Sequence, residues 1–282
     1  MKLCSFRSGG KESYGVVTGS GIVDVGPIAN DGAGRDLREA LERDSLGRIR
    51  SWSTGRATVP LESVEFLPVI PNPEKIFCIG INYRSHVQET GRDMPTQPMI
   101  FTRFADSQTG HLQPIVRPRV SEKLDFEGEL AVVIGKQARH VSVDRALDYV
   151  AGYSAYNDGS VRDWQRHTSQ FIPGKNFPQT GGFGPWLVTV DEIPDPSALT
   201  LQTRLNGVVV QDAKTDDLIF PVQRLIEYCS TFTTLYPGDV IITGTTGGVG
   251  AFRQPPLWMK AGDIVEVEIS GIGVLQNSIV DE

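Results

Sequence analysis

The chain has 282 residues, with 27 Lys or Arg against 34 Asp or Glu, a formal charge of −7. That balance argues against nucleic acid as a partner, because displacing counterions from phosphates takes a basic surface. Hydrophobic residues make up 39% and charged residues 22%, which suits a globular chain rather than a disordered one. No apolar run approaches the about 20 residues needed to span a bilayer, so no membrane partner is expected. The opening segment, Met1 to Gly10, lacks the apolar core of a signal peptide, which points to the cytoplasm. Cys4, Cys78 and Cys229 are far apart and odd in number. They are therefore read as free thiols, the last two buried, rather than a disulfide framework or a thiolate zinc site.

In chain order, Tyr14–Thr18 and Gly21–Val25 read as short strands around a Gly-Ser-Gly turn, and Asp36–Leu46 as one amphipathic helix. Three prolines within Leu67–Pro73 exclude a helix or a central strand and place a boundary there. This gives a small N-terminal unit, 1–70, and a main unit, 71–282. Lys75–Gly80, Leu130–Gly135 and Asp239–Thr243 are apolar runs of buried-strand type. Ser142–Tyr149 and Pro221–Thr231 read as helices, the second with Val222, Leu225, Ile226 and Cys229 on one face. Leu201–Asn206 and Val208–Gln211 flank Asn206-Gly207, a hairpin signal. Gly262–Ile269 alternates apolar and acidic residues as a half-exposed strand does. The expected class is α+β and rich in strands.

Four segments carry chemistry. In Asp125-Phe-Glu-Gly-Glu129, alternate residues share one strand face that runs on into apolar Ala131 and Val133, so at least two carboxylates are driven inward together. Buried like charges need protonation or a cation between them, and a hard divalent ion such as Mg2+ or Mn2+ suits carboxylate oxygens. The plainer alternative is a solvated acidic strand end. Tyr153–Asp158 reads as a strand ending in a carboxylate, followed by a helix that sets Arg162 and Gln165 on one side; the plainer alternative makes Asp158 a helix N-cap. In Gly80-Ile-Asn-Tyr83-Arg-Ser-His86-Val-Gln-Glu89, the i, i+3 spacing lets Glu89 orient His86 as a base. Ser85 and Gln88 would make the same turn a mere capping box. Lys175, in Pro173-Gly-Lys-Asn-Phe177, is a candidate donor to an oxyanion. Thr245 lies in a glycine-rich loop that has no Gly-Lys-Ser/Thr ending and so is not a nucleotide P-loop. His111, His140 and His167 show no metal-ligand spacing and are read as surface or structural.

Together these motifs, with Gly238-Asp-Val-Ile-Ile-Thr-Gly-Thr245, resemble the fumarylacetoacetate hydrolase superfamily, specifically its acylpyruvate-hydrolase-like branch. The resemblance runs from about Pro73 to the C-terminus. It implies a mixed β-sandwich roll, a homodimer, and Mg2+ or Mn2+ held by Glu127, Glu129 and Asp158. It also implies a water-activating His86–Glu89 dyad on a closing lid, Lys175 as an electrophile, and substrate contacts from Arg162, Gln165, Thr245, Tyr83 and Arg103. The chain departs from the family pattern at Thr245-Thr246, where Thr-Pro is usual, and at Phe101-Thr-Arg103, where Phe-x-Lys is usual. Arg in place of Lys changes how a carboxylate or hydroxyl is held, because Arg forks and Lys does not. The activity implied is hydrolysis of the C–C bond of a 2,4-diketo acid to pyruvate and a carboxylic acid. Decarboxylation of oxaloacetate, or isomerisation or hydration of a 2-oxo-enoic acid, would use the same enolate chemistry. A non-catalytic binding protein is disfavoured by the joint presence of the carboxylates and the dyad.

Overall fold

The computed structural model describes residues 1–56 and 58–282. Strands β1 (Lys2–Ser8), β2 (Lys11–Thr18) and β3 (Gly21–Asp24) lead into two short helices, α1 (Leu37–Glu42) and α2 (Leu46–Ser53). The single helix expected over Asp36–Leu46 is thus two. Asp36 caps α1 by accepting from the Glu39 amide. Asp44 then takes a left-handed φ of 50°, and the Ser45 hydroxyl donates to the carbonyls of Ala33 and Ala40. A serine that satisfies carbonyls in this way competes with helix continuation.

The chain continues through β4 (Glu65–Phe66), β5 (Ile76–Gly80), α3 (Arg84–Thr90), β6 (Met99–Thr102), β7 (Gln108–Thr109), β8 (Ile115–Arg117), β9 (Leu124–Asp125) and β10 (Gly128–Ile134). After β11 (Val150–Asp158) and β12 (Ser160–Val161) come the one-turn helices α4 (Arg162–Gln165) and α5 (Ile172–Lys175). The remainder is β13 (Gly181–Thr189), β14 (Thr200–Leu205), β15 (Val208–Lys214), α6 (Val222–Phe232), β16 (Val240–Thr245), β17 (Ile264–Ile269) and β18 (Gly273–Asp281). The helix expected at Ser142–Tyr149 is a tighter 3-10 helix over Val143–Tyr149, which delivers Val150 directly into its pairing with Ile134.

The larger sheet has the order β3-β2-β1-β13-β11-β10-β16-β5-β6, with β4 on β1 and β7 on β13; the smaller has the order β15-β14-β17-β18-β8. The two pack as a mixed sandwich. Leu130, Val132 and Ile134 of β10 meet Leu201, Val267, Ile269 and Leu275 of the smaller sheet and the apolar face of α6. On the opposite face, Ala131 and Val133 pack with Cys78, Val240 and Ile242, and with Leu37, Leu41 and Ile49 of α1 and α2. A strand covered on both faces reads as an unbroken apolar run, which is how Leu130–Gly135 reads. The β14–β15 turn has positive φ at both Asn206 (52°) and Gly207 (77°), the backbone a two-residue type I′ hairpin requires. The proline-rich stretch 67–73 separates β4 from β5. The larger sheet nevertheless crosses it, since β1 pairs with β13 through Lys2↔Val188 and Leu3↔Leu187.

Candidate active site

The site is built where β10 and β11 meet. Their antiparallel register sets Gly128 opposite Asn157 and Glu129 opposite Tyr156, and the Asp158 amide donates to the Glu127 carbonyl at 2.8 Å. Pleating puts Glu129 on the face of Ala131 and Val133, and Asp158 on the face of Tyr156; Ala131, Val133 and Tyr156 share one core. Glu127, Glu129 and Asp158 consequently converge, with ligand oxygens within 4.8 Å of one another and all three side chains buried. The solvated strand end is excluded, and so is the capping role for Asp158, because the residue preceding α4 is Val161. Asp125, expected on the same face, turns elsewhere because the strand breaks between β9 and β10. Its carboxylate accepts from the amides of Phe126, Gly250 and Ala251 and from Arg162 Nε, at 2.8 to 2.9 Å.

Three buried cations surround these carboxylates. Lys175 Nζ lies 2.6 Å from both Glu127 Oε2 and Asp158 Oδ2. It reaches them because α5 packs tightly on α4: a Cβ on Gly174 would sit 2.3 Å from the Gln165 amide nitrogen. Lys175, only 1% exposed, is thus a buried ammonium at the end of a short helix rather than a solvated side chain. Arg162 reaches Asp125 through Nε and Gln165 Oε1 through Nη1, and its Nη2 lies 2.7 Å from Glu127 Oε1. That Nη2 makes no well-aligned hydrogen bond although it is buried, so it retains a donor for an acceptor in the site. Arg103 Nη1 holds Asp158 Oδ1 at 2.6 Å.

Burial raises the Glu127 carboxyl, but Lys175 and then Arg162 outweigh it and hold the pKa at about 2. Glu129 goes the other way, pushed well above the usual carboxylate range by burial and by the charges of Asp158 and Glu127. Burial lowers the Lys175 ammonium, yet Asp158 and Glu127 more than offset it, and its pKa rises. Once Glu129 is ionised, which a bound cation would favour, the four carboxylates Asp125, Glu127, Glu129 and Asp158 exceed the three cations Lys175, Arg162 and Arg103 by one charge. A buried, oxygen-only triad with residual negative charge is the donor set of a Mg2+ or Mn2+ site.

Helix α3 supplies the dyad: His86 Nδ1 lies 3.0 Å from Glu89 Oε2. A carboxylate can only accept, so Nδ1 carries the proton and Nε2 holds the free lone pair. The capping-box reading of this turn does not hold. The residue before α3 is Tyr83, which makes no side-chain cap, and the Ser85 amide and hydroxyl both donate to Asp217 Oδ2, at 3.1 and 2.7 Å. Glu89 Oε1 accepts from the Gly248 amide at 2.9 Å, joining α3 to the glycine-rich loop after β16.

One cavity of about 100 Å3 collects His86, Glu127, Glu129, Arg162, Gln165, Lys175 and Thr245. Glu89 stands behind His86, and Asp158 completes the carboxylate triad. Tyr83 and Arg103, expected as substrate contacts, do not line it. Tyr83 is fully buried, and Arg103 spends its donors on Asp158, Gly159, Ser107 and Thr180; it acts on the site only through Asp158. Gln211 escaped the sequence reading, and no local signal marks it. It bridges the Gly128 amide and Thr245 Oγ1, at 2.9 and 2.8 Å, and so orients that hydroxyl. Arg92, Arg166, Phe171 and Phe252 also line the cavity without having been singled out. His111 is structural: burial lowers its pKa to about 4, and its Nδ1 accepts from the Gln276 amide. His140 and His167 are exposed. All three cysteines are buried and free.

A strand-rich sandwich with a carboxylate triad, a buried lysine and a His–Glu pair at one cavity defines a class, and the chain belongs to it: residues 75–280 match the family "Fumarylacetoacetate (FAA) hydrolase C-terminal", so this is a member of the fumarylacetoacetate hydrolase family of enzymes. Among named relatives, oxaloacetate tautomerase fahd2 of Xenopus laevis, a mitochondrial protein, is 44% identical over 289 residues, covering 99% of this chain and 90% of that protein. Oxaloacetate tautomerase Fahd2a of Rattus norvegicus, also mitochondrial, is 39% identical over 267 residues, covering 93% and 85%. Among solved structures, maleylpyruvate hydrolase from Sphingobium, in complex with manganese(II) and pyruvate, superimposes with a TM-score of 0.83 at 28% identity, covering 100% of this chain and 99% of that one.

Proposed function

We propose that this chain catalyses keto–enol tautomerisation of oxaloacetate at a divalent-metal site. Tautomerisation was not among the reactions expected above; it lies nearer the oxaloacetate and enolate alternatives than the diketo acid hydrolysis. The observation that carries it is a base, His86, sharing one cavity with Glu127 and Glu129 of the carboxylate triad. The names of the relatives at 39% and 44% identity support the substrate. The cavity is small beside the about 300–1,000 Å3 typical of drug-sized ligands, which favours a compact 2-oxo acid.

When bound, the divalent ion supplies Lewis acidity that makes the C3–H bond of a 2-oxo acid more acidic. Arg162 Nη2 and Gln165 present donors for the C1 carboxylate, and Phe252, edge-on to His86 at 6.1 Å, helps shield the reacting carbon from water. His86 Nε2 takes the C3 proton of the keto form while Glu89 stabilises the imidazolium. The electrons of the C–H bond form the C2–C3 double bond, and the C2 oxygen gains negative charge. Lys175 is placed to stabilise that charge until the oxygen takes a proton from water, while the His86 imidazolium gives up the C3 proton to water and is neutral again; the reverse sequence returns the keto form.

Replacing His86 by alanine is expected to lower kcat for this interconversion by about 10²–10⁴-fold, followed through the ultraviolet absorbance of the enol, with Mn2+ affinity unchanged. An unaltered kcat would remove His86 from the proton transfer. Hydrolysis of a 2,4-diketo acid is the second reading, favoured by the same dyad, which could activate water, and by the likeness to maleylpyruvate hydrolase. Pyruvate released together with a matching free acid would identify it. We further propose a homodimer, from resemblance, and a division into units 1–70 and 71–282, from the proline-rich stretch between them; resemblance does not support the cytoplasmic location expected above, since the two relatives named are mitochondrial. Among the described residues, no helix is long and apolar enough to cross a membrane.

A further inference from the structure

We propose that Arg92 and Arg166 form a recognition site for a second, distal carboxylate of the substrate, so that the cavity selects dicarboxylic over monocarboxylic 2-oxo acids. The choice of oxaloacetate as that dicarboxylate rests on the reading above; the recognition itself does not. The cations deep in the site are already committed, Lys175 to Glu127 and Asp158, Arg162 to Asp125 and Glu127, and Arg103 to Asp158. A divalent ion and one chelating carboxylate would leave the charge around the triad balanced, with no cation over for a second carboxylate. Arg92 and Arg166 differ from these three. Both line the same cavity and both are exposed. Among the described residues, neither side chain has a hydrogen bond or ion pair within the chain.

They come from separate elements, Arg92 two residues beyond the end of α3 and Arg166 directly after α4, yet they border one opening. In a chain with seven more acidic than basic residues, two guanidiniums without acidic partners at one cavity call for an anion from outside. Apolar walls supplied by Ile79, Ile81, Phe101 and Phe171 lower the local dielectric and strengthen that attraction. The guanidinium fork matches a carboxylate with two parallel hydrogen bonds. In a four-carbon 2-oxo diacid chelated through C1 and C2, the C4 carboxylate is the group left to point away from the triad.

L-malate and L-lactate test this without turnover, since both offer a 2-hydroxy acid to the metal and differ in the distal carboxylate. Calorimetric titration of the Mn2+-loaded protein should show malate bound at least about tenfold more tightly. That preference should shrink towards unity in the R92Q/R166Q double variant, with lactate affinity unchanged. Equal affinity for the two ligands in the unmodified protein, or a malate preference that survives in the double variant, would overturn the proposal. So would a parallel loss for both ligands, which marks a structural role. If the malate preference behaves as expected but oxaloacetate is not tautomerised, the recognition site stands and the proposed reaction fails.

Discussion

Replacing Glu129 by glutamine is expected to cripple metal binding and activity while leaving the metal-free protein as stable as before, or more so. Glu129 is buried beside Glu127 and Asp158, and burial and repulsion both disfavour its charge. Its carboxylate accepts from the Gly244 amide at 2.5 Å, whereas the ammonium and guanidinium groups contact Glu127 and Asp158. An amide of the same shape still accepts from Gly244 and removes the repulsion. A neutral oxygen is, however, a poorer ligand for a hard cation. Loss of a ligand should weaken Mn2+ binding by more than the about 10–100-fold that loss of an outer partner costs. Calorimetry with Mn2+ and thermal melting without it give the two readouts. Unchanged Mn2+ affinity would remove Glu129 from the metal site, and a marked fall in metal-free melting temperature would contradict the charge argument.

The opposite pattern is expected for Lys175→Met, which should destabilise the metal-free protein by about 3–5 kcal/mol, the cost of breaking a buried ion pair from one side. Glu127 and Asp158 would keep Arg162 and Arg103 but lose the ammonium 2.6 Å from each. The loss should depend on pH. Glu127, held at about 2 against an ordinary 4.5, contributes stability that is fully present above the unfolded value and is lost as pH falls through the folded one. Without Lys175 its folded value rises, so that contribution shrinks. Lys175 itself is raised; its contribution is complete below its unfolded value and fades only in alkali. Urea unfolding should therefore show a large gap between variant and parent at pH 7 that narrows towards pH 3. A gap that does not vary with pH would assign the effect to packing rather than charge.

What could be read from the chain followed the range of the interaction concerned. The strands Ile76–Gly80, Gly128–Ile134 and Val240–Thr245 announce themselves because burial on both faces leaves a continuous apolar run. The Asn206-Gly207 hairpin is written in two adjacent residues. The carboxylates were legible in part: a strand's period of two pointed Asp125, Glu127 and Glu129 inward, one too many because the strand breaks after Asp125, and the set Glu127, Glu129 and Asp158 came from the family resemblance. Misreadings cluster where a distant residue decides. Ser85 looked like a cap and instead binds Asp217, 132 residues away. Local sequence offered Lys175 only as a weak candidate donor; it is the fold, by closing α5 onto α4, that brings it to Glu127, 48 residues away. Depth was equally illegible: Arg103 and Tyr83 sit in motif segments but behind the cavity wall, while Arg92 and Arg166, unremarkable in sequence, border its opening.

Metal-dependent enol chemistry on oxaloacetate can be checked by stripping the protein with a chelator and following enol–keto conversion before and after adding Mg2+ or Mn2+, with pyruvate assayed in parallel. Conversion is expected to be lost on stripping, to be restored by either ion, and to proceed without stoichiometric pyruvate. Conversion that persists undiminished in the stripped protein, or a restored activity that appears only as pyruvate with an equal amount of CO2, would contradict it.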